Sequence, residues 1–355
     1  MTNTAAANPR WKQRPPGSTW GDFGPDDQLG RLNLLTAEKV RQGVAEVHAG
    51  RSFALSLPLD YPGGNALNAN RQPPVLRPLL RKGLVNFNCL LGDLEPGRTD
   101  VLSDDLAILH LQYSTQWDGF AHVGALFDAD GDGLPEPLYY NGFAAGRDIA
   151  GPSDVRDAGV PAAGAAVSTS AAHALGIEGM ARTGVQGRGV MVDLHAHLGN
   201  AYTVVGYEQL MRVLEADGVV VEPGDMLCLH TGFAEVVLGM HKRPDPAVLA
   251  ASCAVLDGRD ERLLQWITDS QIAAIAADNY AVEAFPAKAG PACCAALPLH
   301  EHCLFKLGVH LGELWHLTPL AQWLRAHGRH RFLLTAPPLN LPGAVASPVT
   351  PVATV

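Results

Sequence analysis

The chain has 355 residues, 47% hydrophobic and 17% charged, with a formal net charge of −10. Such a length buries a substantial core in one or two domains. The acidic balance, with no Lys/Arg-rich run, argues against nucleic acid or an anionic membrane as partner. The six cysteines (Cys89, Cys228, Cys253, Cys293, Cys294, Cys303) form no C-x-x-C pair and no zinc-ribbon spacing, so free thiols in a reducing compartment are expected. The N-terminus lacks an apolar secretory core, and no apolar run approaches the ~20 residues that span a bilayer. The expectation is a soluble, cytoplasmic protein.

In chain order, residues 1–18 are polar and Pro/Gly-rich and read as an arm, with 19–355 as a single α/β domain. Thr36 to His48 predicts a helix capped by Thr36, with Val40, Val44 and Val47 on one face. Phe53 to Leu57 alternates like a strand. Residues 60–100 read as a long loop, which in a compact domain covers a site or mediates assembly. Leu106 to Leu109 reads as a buried strand leading into the polar run His110-Leu-Gln-Tyr-Ser-Thr-Gln-Trp-Asp-Gly-Phe-Ala-His122. Gly187 to Asp193 is a turn and a buried strand. Tyr207 to Ala216 is a helix with Leu210, Val213 and Leu214 inward and Gly218 as its cap. Pro223 to Gly232 is turn, strand and polar tip. Asp260 to Ile267 is helical, Ile272 to Ala277 a strand, Thr318 to His327 a helix, and Phe332 to Leu334 a strand. Strands and helices alternate without βαβ regularity, which predicts an α/β fold with a mixed sheet.

Several of these segments carry chemistry. Asp118 and His122 can supply acid–base work or metal ligation, or be solvated groups at a strand end. Asp193, His195 and His197 have period-two spacing, which puts all three on one side if the segment is extended. His230 sits at a strand tip, where capping the next turn competes with a site role. Asp278 and Glu283 follow another strand and can touch substrate or cap a helix. His300, His302 and Glu313 flank an apolar run and could return to one place. Asp128, Asp130 and Asp132 resemble the start of a calcium loop, but Tyr139 stands where a bidentate Glu belongs, so a solvated turn is expected. Gly184 to Gly189 precedes a strand rather than following one, and is read as a turn. No G-x-S-x-G elbow is present, and Cys293-Cys294 lie in no recognisable cysteine-hydrolase motif.

Four segments together resemble the cyclase family, the group of bacterial kynurenine formamidase and isatin hydrolase. They are Trp20 to Asn33, Thr115 to His122, Gly187-Arg-Gly189 with Pro223 to Gly232, and Glu313 with the tail from Ala336 to Pro348. The resemblance implies a swivelling β/β/α domain with a mixed sheet, assembled as homodimers or homotetramers. It implies hydrolysis of an amide-like bond assisted by Mn²⁺ or Zn²⁺. The family motif His-x-Gly-Thr-His-x-Asp-x-Pro-x-His, laid on this chain, falls at Gln112, Gln116, Asp118 and His122. The later metal-binding His and Glu fall near His300 and at Glu313. Two ligand histidines are therefore glutamines here, which marks a divergent branch and shifts the preference toward Mn²⁺ or Mg²⁺, or toward no metal at all.

The reading that follows is a hydrolase of a small cyclic or N-acyl amide, imide or lactone. In its metal version Gln116, Asp118, His300 and Glu313 hold the ion, Mn²⁺ rather than Zn²⁺, and His122 moves the proton. In its metal-free version Asp118 orients His122, and the amides of Gln112 and Gln116 bind the carbonyl oxygen. Trp117, Phe120 and Tyr280 are expected to wall a ring pocket, and Asp278 to touch substrate. The alternatives are a metal-independent lyase, cyclase or dehydratase, and a catalytically dead small-molecule binding protein of the same fold.

Overall fold

Nine strands of the computed structural model, which describes residues 10–159 and 167–355, join in one mixed sheet. In chain order they are β1 (Ser52–Ala54), β2 (Gln116–Asp118), β3 (Gln186–Asp193), β4 (Met226–His230), β5 (Ala274–Ala277), β6 (His310–Glu313), β7 (Arg331–Thr335), β8 (Ala346–Pro348) and β9 (Val352–Thr354). Across the sheet the order is β1-β9-β7-β3-β4-β5-β6-β2-β8. The central run β3-β4-β5-β6 is parallel, and every other pairing is antiparallel. This is the mixed-sheet α/β architecture that the resemblance implies.

The central strands are buried on both faces, as parallel strands flanked by helices must be. Alternate residues feed two cores. Val190, Val192, Leu227, Leu229, Ile275 and Leu311 enter one, with Leu210 and Val213 of helix Tyr207–Asp217 and Leu263 and Ile267 of helix Glu261–Ser270. Met191, Cys228, Ala276, Trp117, Trp315 and Phe332 enter the other, with Leu320 and Leu324 of helix Thr318–Ala326. The helix ends follow the capping signals: Thr36 accepts from Lys39 N, Asp260 accepts from Arg262 N and Leu263 N, and Gly218 closes its helix in the left-handed region.

Four expectations change. Helix Ala37–Ala45 buries Lys39 and Gly43, while Val44 is exposed. The reason is a buried ion cluster, in which Lys39 Nζ and a bidentate Arg188 both reach Asp225. Gly43 is packed so close that a Cβ there would lie 2.7 Å from Gly187 O. The strand expected over Phe53–Leu57 is only Ser52–Ala54, although Leu55 and Leu57 remain buried. Residues 60–100 are not a plain loop, since they hold strands Val75–Arg81, Leu84–Asn86 and Cys89–Leu90. Where a buried strand is expected over Leu106–Leu109, strand Asp105–Ile108 pairs with Val75–Arg81 in a small sheet whose apolar side chains are largely exposed.

The expected arm is described only from Arg10 onward, and residues 1–9 lie outside the described residues. Residues 10–18 lie against the body: Trp11 meets Trp20, and the amides of Lys12 and Gln13 donate to Ala129 O. No described helix is long and apolar enough to cross a membrane.

Candidate active site

The polar run centred on residue 116 is itself the buried strand β2, paired with β6 so that Gln116 faces Glu313 and Asp118 faces Leu311. Gln116, Asp118 and Glu313 therefore share one face, and the odd residue Trp117 points to the other. Glu313 continues a glycine-dependent strand, because a Cβ on Gly312 would lie 2.7 Å from the Trp315 ring nitrogen. His300 arrives from the short helix Pro298–His300, which runs directly into Glu301–Leu307. Glu283 fixes that entry. Its carboxylate accepts from the amides of Leu299 and His300 at 2.9 and 3.0 Å, and pairs with His300 Nδ1 at 2.8 Å.

With Nδ1 so engaged, His300 Nε2 lies 3.3 Å from Glu313 Oε1 and 3.7 Å from Asp118 Oδ2. Asp118, His300 and Glu313 are all buried, with ligand atoms within 4.8 Å of one another, a grouping that can hold a metal ion. The Gln116 amide nitrogen donates to Glu313 Oε2 at 3.1 Å and, more distantly, to Asp118 Oδ1, which also accepts from Gln112 Nε2. Two buried oxygens in this cluster, Gln116 Oε1 and Asp118 Oδ2, have no hydrogen-bond partner. Leaving a buried acceptor unpaired costs about 1–3 kcal/mol, more for a charged one. An orphaned carboxylate oxygen and amide oxygen beside an imidazole and a second carboxylate form the donor set of a hard or borderline divalent cation.

His122 is the open member, with 23% of its side chain exposed and Nε2 3.9 Å from Asp118 Oδ2. Burial alone would raise the Asp118 carboxyl, but the charges of His122 and His300 hold it at about 2. Burial opposes the charge on His300, yet the three carboxylates around its ring, Asp118, Glu283 and Glu313, raise it well above the usual histidine value. Tyr280 stands at the edge of the cluster, where burial and then the charge of Glu313 raise its hydroxyl. Its Oη accepts from Asn68 Nδ2 at 2.9 Å. A small cleft beside it is lined by Asn68, Arg71, Gln112, Tyr113 and Tyr280.

Thus Gln112, Gln116, Asp118, His122, His300 and Glu313 come together, with Tyr280 adjacent. Three other expected residues do not join them. Trp117 is wholly buried against Trp315 on the opposite face of the sheet, with its indole N–H donated to Ala336 O. Phe120 is buried and stacked on His310, a ring that burial keeps neutral by lowering it to about 4. Asp278 caps the turn after β4, accepting from the amides of Thr231 and Gly232 and from the Thr231 hydroxyl. None of the three is placed as the ring wall or substrate contact expected from sequence. Glu283 is the residue whose part the sequence left open; its only signal was its position after an apolar strand.

The period-two trio also separates. Asp193 ends β3 and caps helix Leu194–Leu198, so His195 and His197 are helical rather than extended. Their partners are Asn200 and Asp217. His302 bonds Thr268 away from the cluster. Asp128, Asp130 and Asp132 direct oxygens to the amides of Gly131, Asp132, Gly133 and Leu134, as a solvated turn does.

Asp193 instead pairs with His230 Nδ1 at 2.7 Å, and Asp278 Oδ2 lies 4.0 Å from Nε2. Burial opposes the charge on His230, but the Asp193 bond and the Asp278 charge outweigh it and raise the imidazole above 6.5. A raised histidine contributes stability that is complete below its unfolded value and is lost as pH rises through its folded value. Thermal melts should therefore lose stability as pH climbs above about 6.5, and His230→Gln should flatten that limb. An unchanged slope in the variant would show that the pair carries no such linkage.

A family model described as a putative cyclase matches residues 54–284. A comparison with curated proteins found no match. Among solved structures the chain is similar to one described as a novel cyclase, at 28% identity and a TM-score of 0.71, over 97% of this chain and 100% of that one. It is also similar to isatin hydrolase A from Ralstonia solanacearum, at 14% identity and a TM-score of 0.51, over 85% of this chain and 91% of that one. Isatin hydrolase A from Labrenzia aggregata, bound to benzyl benzoate, gives 12% identity and a TM-score of 0.53, over 88% and 97%. The last two likenesses are of fold alone.

Proposed function

The chain belongs to the putative cyclase family, and from that premise we propose that it hydrolyses a small cyclic or N-acyl amide, imide or lactone. The observation that carries this reading is the pair of orphaned oxygens, Gln116 Oε1 and Asp118 Oδ2, inside the Asp118–His300–Glu313 cluster. Those residues would hold a divalent ion, Mn²⁺ in preference to Zn²⁺ because three of the four donors are oxygens. Such an ion, when bound, polarises a carbonyl and lowers the pKa of water. Both glutamine amide nitrogens are already donated to carboxylates, which favours this version over one in which they bind the carbonyl oxygen.

The protein residues then divide the work. Asp118 and Glu313 supply negative charge, and Glu283 fixes the ring of His300 so that Nε2 faces the cluster. His122, a partly exposed base beside Asp118, takes the proton from attacking water and returns it to the leaving nitrogen or oxygen. A screen of cyclic amides, imides and lactones with Mn²⁺ in H₂¹⁸O tests the reaction class. Incorporation of one solvent oxygen into the product, lost in His122→Ala, is the expected result. Turnover without ¹⁸O would make the enzyme a lyase or cyclase instead.

We also propose that two copies of the chain pair through the small sheet of Val75–Arg81, Leu84–Asn86 and Asp105–Ile108. Such a sheet is stable only with a face packed against something. Here Leu76 and Leu80 are 69% and 76% exposed, among further exposed apolar residues. Contiguous apolar surface beyond a few hundred Å² marks a contact site. Sedimentation of the wild type should give a dimer or larger, and Leu76→Glu with Leu80→Glu should shift it toward monomer. A monomeric wild type at tens of micromolar would rule the pairing out.

A further inference from the structure

Two of the six cysteines, Cys293 and Cys294, are exposed, and the other four are buried. Cysteine is among the most buried residue types, so two consecutive exposed thiols need a reason. Both line an open cleft of about 620 Å³ between residues 123–126, which follow His122, and residues 293–297, which lead to His300. Cys294 Sγ accepts from Arg259 Nη2 at 3.1 Å, and the same guanidinium donates to Lys288 O and Ala295 O. Gly290 closes over this contact, since a Cβ there would lie 2.9 Å from both Arg259 Cζ and Cys294 Sγ. Arg259 thus ties together a stretch, 284–297, that has neither helix nor strand. The stretch runs from Glu283 to the short helix of His300, two residues that are themselves paired at 2.8 Å.

We propose that Cys293 and Cys294 are a peroxide-reactive thiol pair, whose closure to a disulfide loosens the segment that delivers His300. A thiolate is the form of cysteine that reacts, and a cation in contact with the sulfur suits it. Cys294 Sγ attacks one oxygen of a hydroperoxide and the O–O bond breaks. The thiol becomes a sulfenic acid, and the second oxygen leaves as water or an alcohol. Cys293 Sγ then attacks the Cys294 sulfur, so that an S–S bond replaces the S–O bond and water is released. The two thiols lose two electrons in all, and the peroxide gains them. Consecutive Cα atoms are about 3.8 Å apart across a trans peptide, below the ~4.4–6.8 Å that a disulfide usually spans. The closed ring is therefore strained, and strained, exposed disulfides are the readily reduced, regulatory kind. Closure also takes from Arg259 the thiol that it holds. Neither step involves a metal or hydrolysis, so the inference stands apart from the reaction proposed above.

The test treats the reduced full chain with a small excess of hydrogen peroxide and maps its thiols by alkylation and peptide mass. The expected product has lost two hydrogens within the peptide that holds Cys293 and Cys294, and dithiothreitol restores them. Cys293→Ser should stop at the sulfenic acid, which dimedone traps on Cys294. The amides of Leu299 and His300, which donate to Glu283, should exchange hydrogen about tenfold faster after oxidation and recover on reduction. Two free thiols after peroxide, a bridge between two chains, or oxidation to sulfinic acid without a bridge would each overturn the pair. Unchanged exchange at Leu299 and His300 in the bridged protein would overturn its link to His300. The mass and exchange measurements on the wild type decide both points even if the serine variant fails to fold.

Discussion

Replacing Asp118 with asparagine is expected to abolish divalent-metal binding and to lower hydrolysis on the order of 10³-fold or more. The size follows from what is removed. Loss of one preorganised electrostatic group costs about 10²–10³ in rate, and this substitution takes away the charge on which the ion itself depends. Asparagine keeps the shape and can still accept from Gln112, so the strand should remain paired. Asp118 is also held in its charged form, at about 2, through His122 and His300. His300 in turn is held as an imidazolium by Asp118, Glu283 and Glu313. Metal uptake must displace that proton, so affinity should rise with pH and binding should release acid. Elemental analysis before and after chelation, with calorimetry in two buffers of different ionisation enthalpy, reads both effects. A wild type that stays metal-free in excess Mn²⁺ would remove the metal version and leave Asp118 and His122 to act alone. A variant that keeps its metal would move the site elsewhere.

The sequence made the cluster legible only in part, for reasons that lie in strand geometry. The family-like run named Gln112, Gln116, Asp118 and His122, and the structure gathers all four. Trp117 was expected to wall the pocket because it adjoins Asp118 in sequence, but adjacency on a strand means opposite faces. Reading Gln116–Asp118 as the strand, rather than Leu106–Leu109, would have sent the indole to the far core. Asp193, His195 and His197 failed for a related reason. Period-two spacing brings three side chains together only in an extended segment, whereas Asp193 is a helix cap and ends the strand. The apolar run Leu106–Leu109 predicts a buried strand and lies in an exposed small sheet, because an apolar run carries no mark of whether its cover is the same chain or another. Glu283 could not be given its part, since it meets His300 only after a 17-residue excursion.

Glu283 carries the second large prediction, that Glu283→Gln weakens metal affinity about 10- to 100-fold while the protein stays folded. Groups that orient a ligating imidazole typically contribute this much. The carboxylate performs two tasks at once. It accepts the amides of Leu299 and His300 at the start of a short helix, and it binds His300 Nδ1, leaving Nε2 toward Asp118 and Glu313. Glutamine keeps one acceptor but presents an N–H where a carboxylate oxygen met backbone donors. The cap is therefore weakened, by about 1–3 kcal/mol, and the ring is freed to rotate. A purely structural residue would lower the melting temperature and leave the metal dissociation constant unchanged. A positioning residue should raise that constant, and excess Mn²⁺ should restore activity to the variant but not to Asp118→Asn. The comparison separates the two carboxylates by what they touch: Asp118 contributes charge within the cluster, whereas Glu283 acts on it only through the orientation of His300.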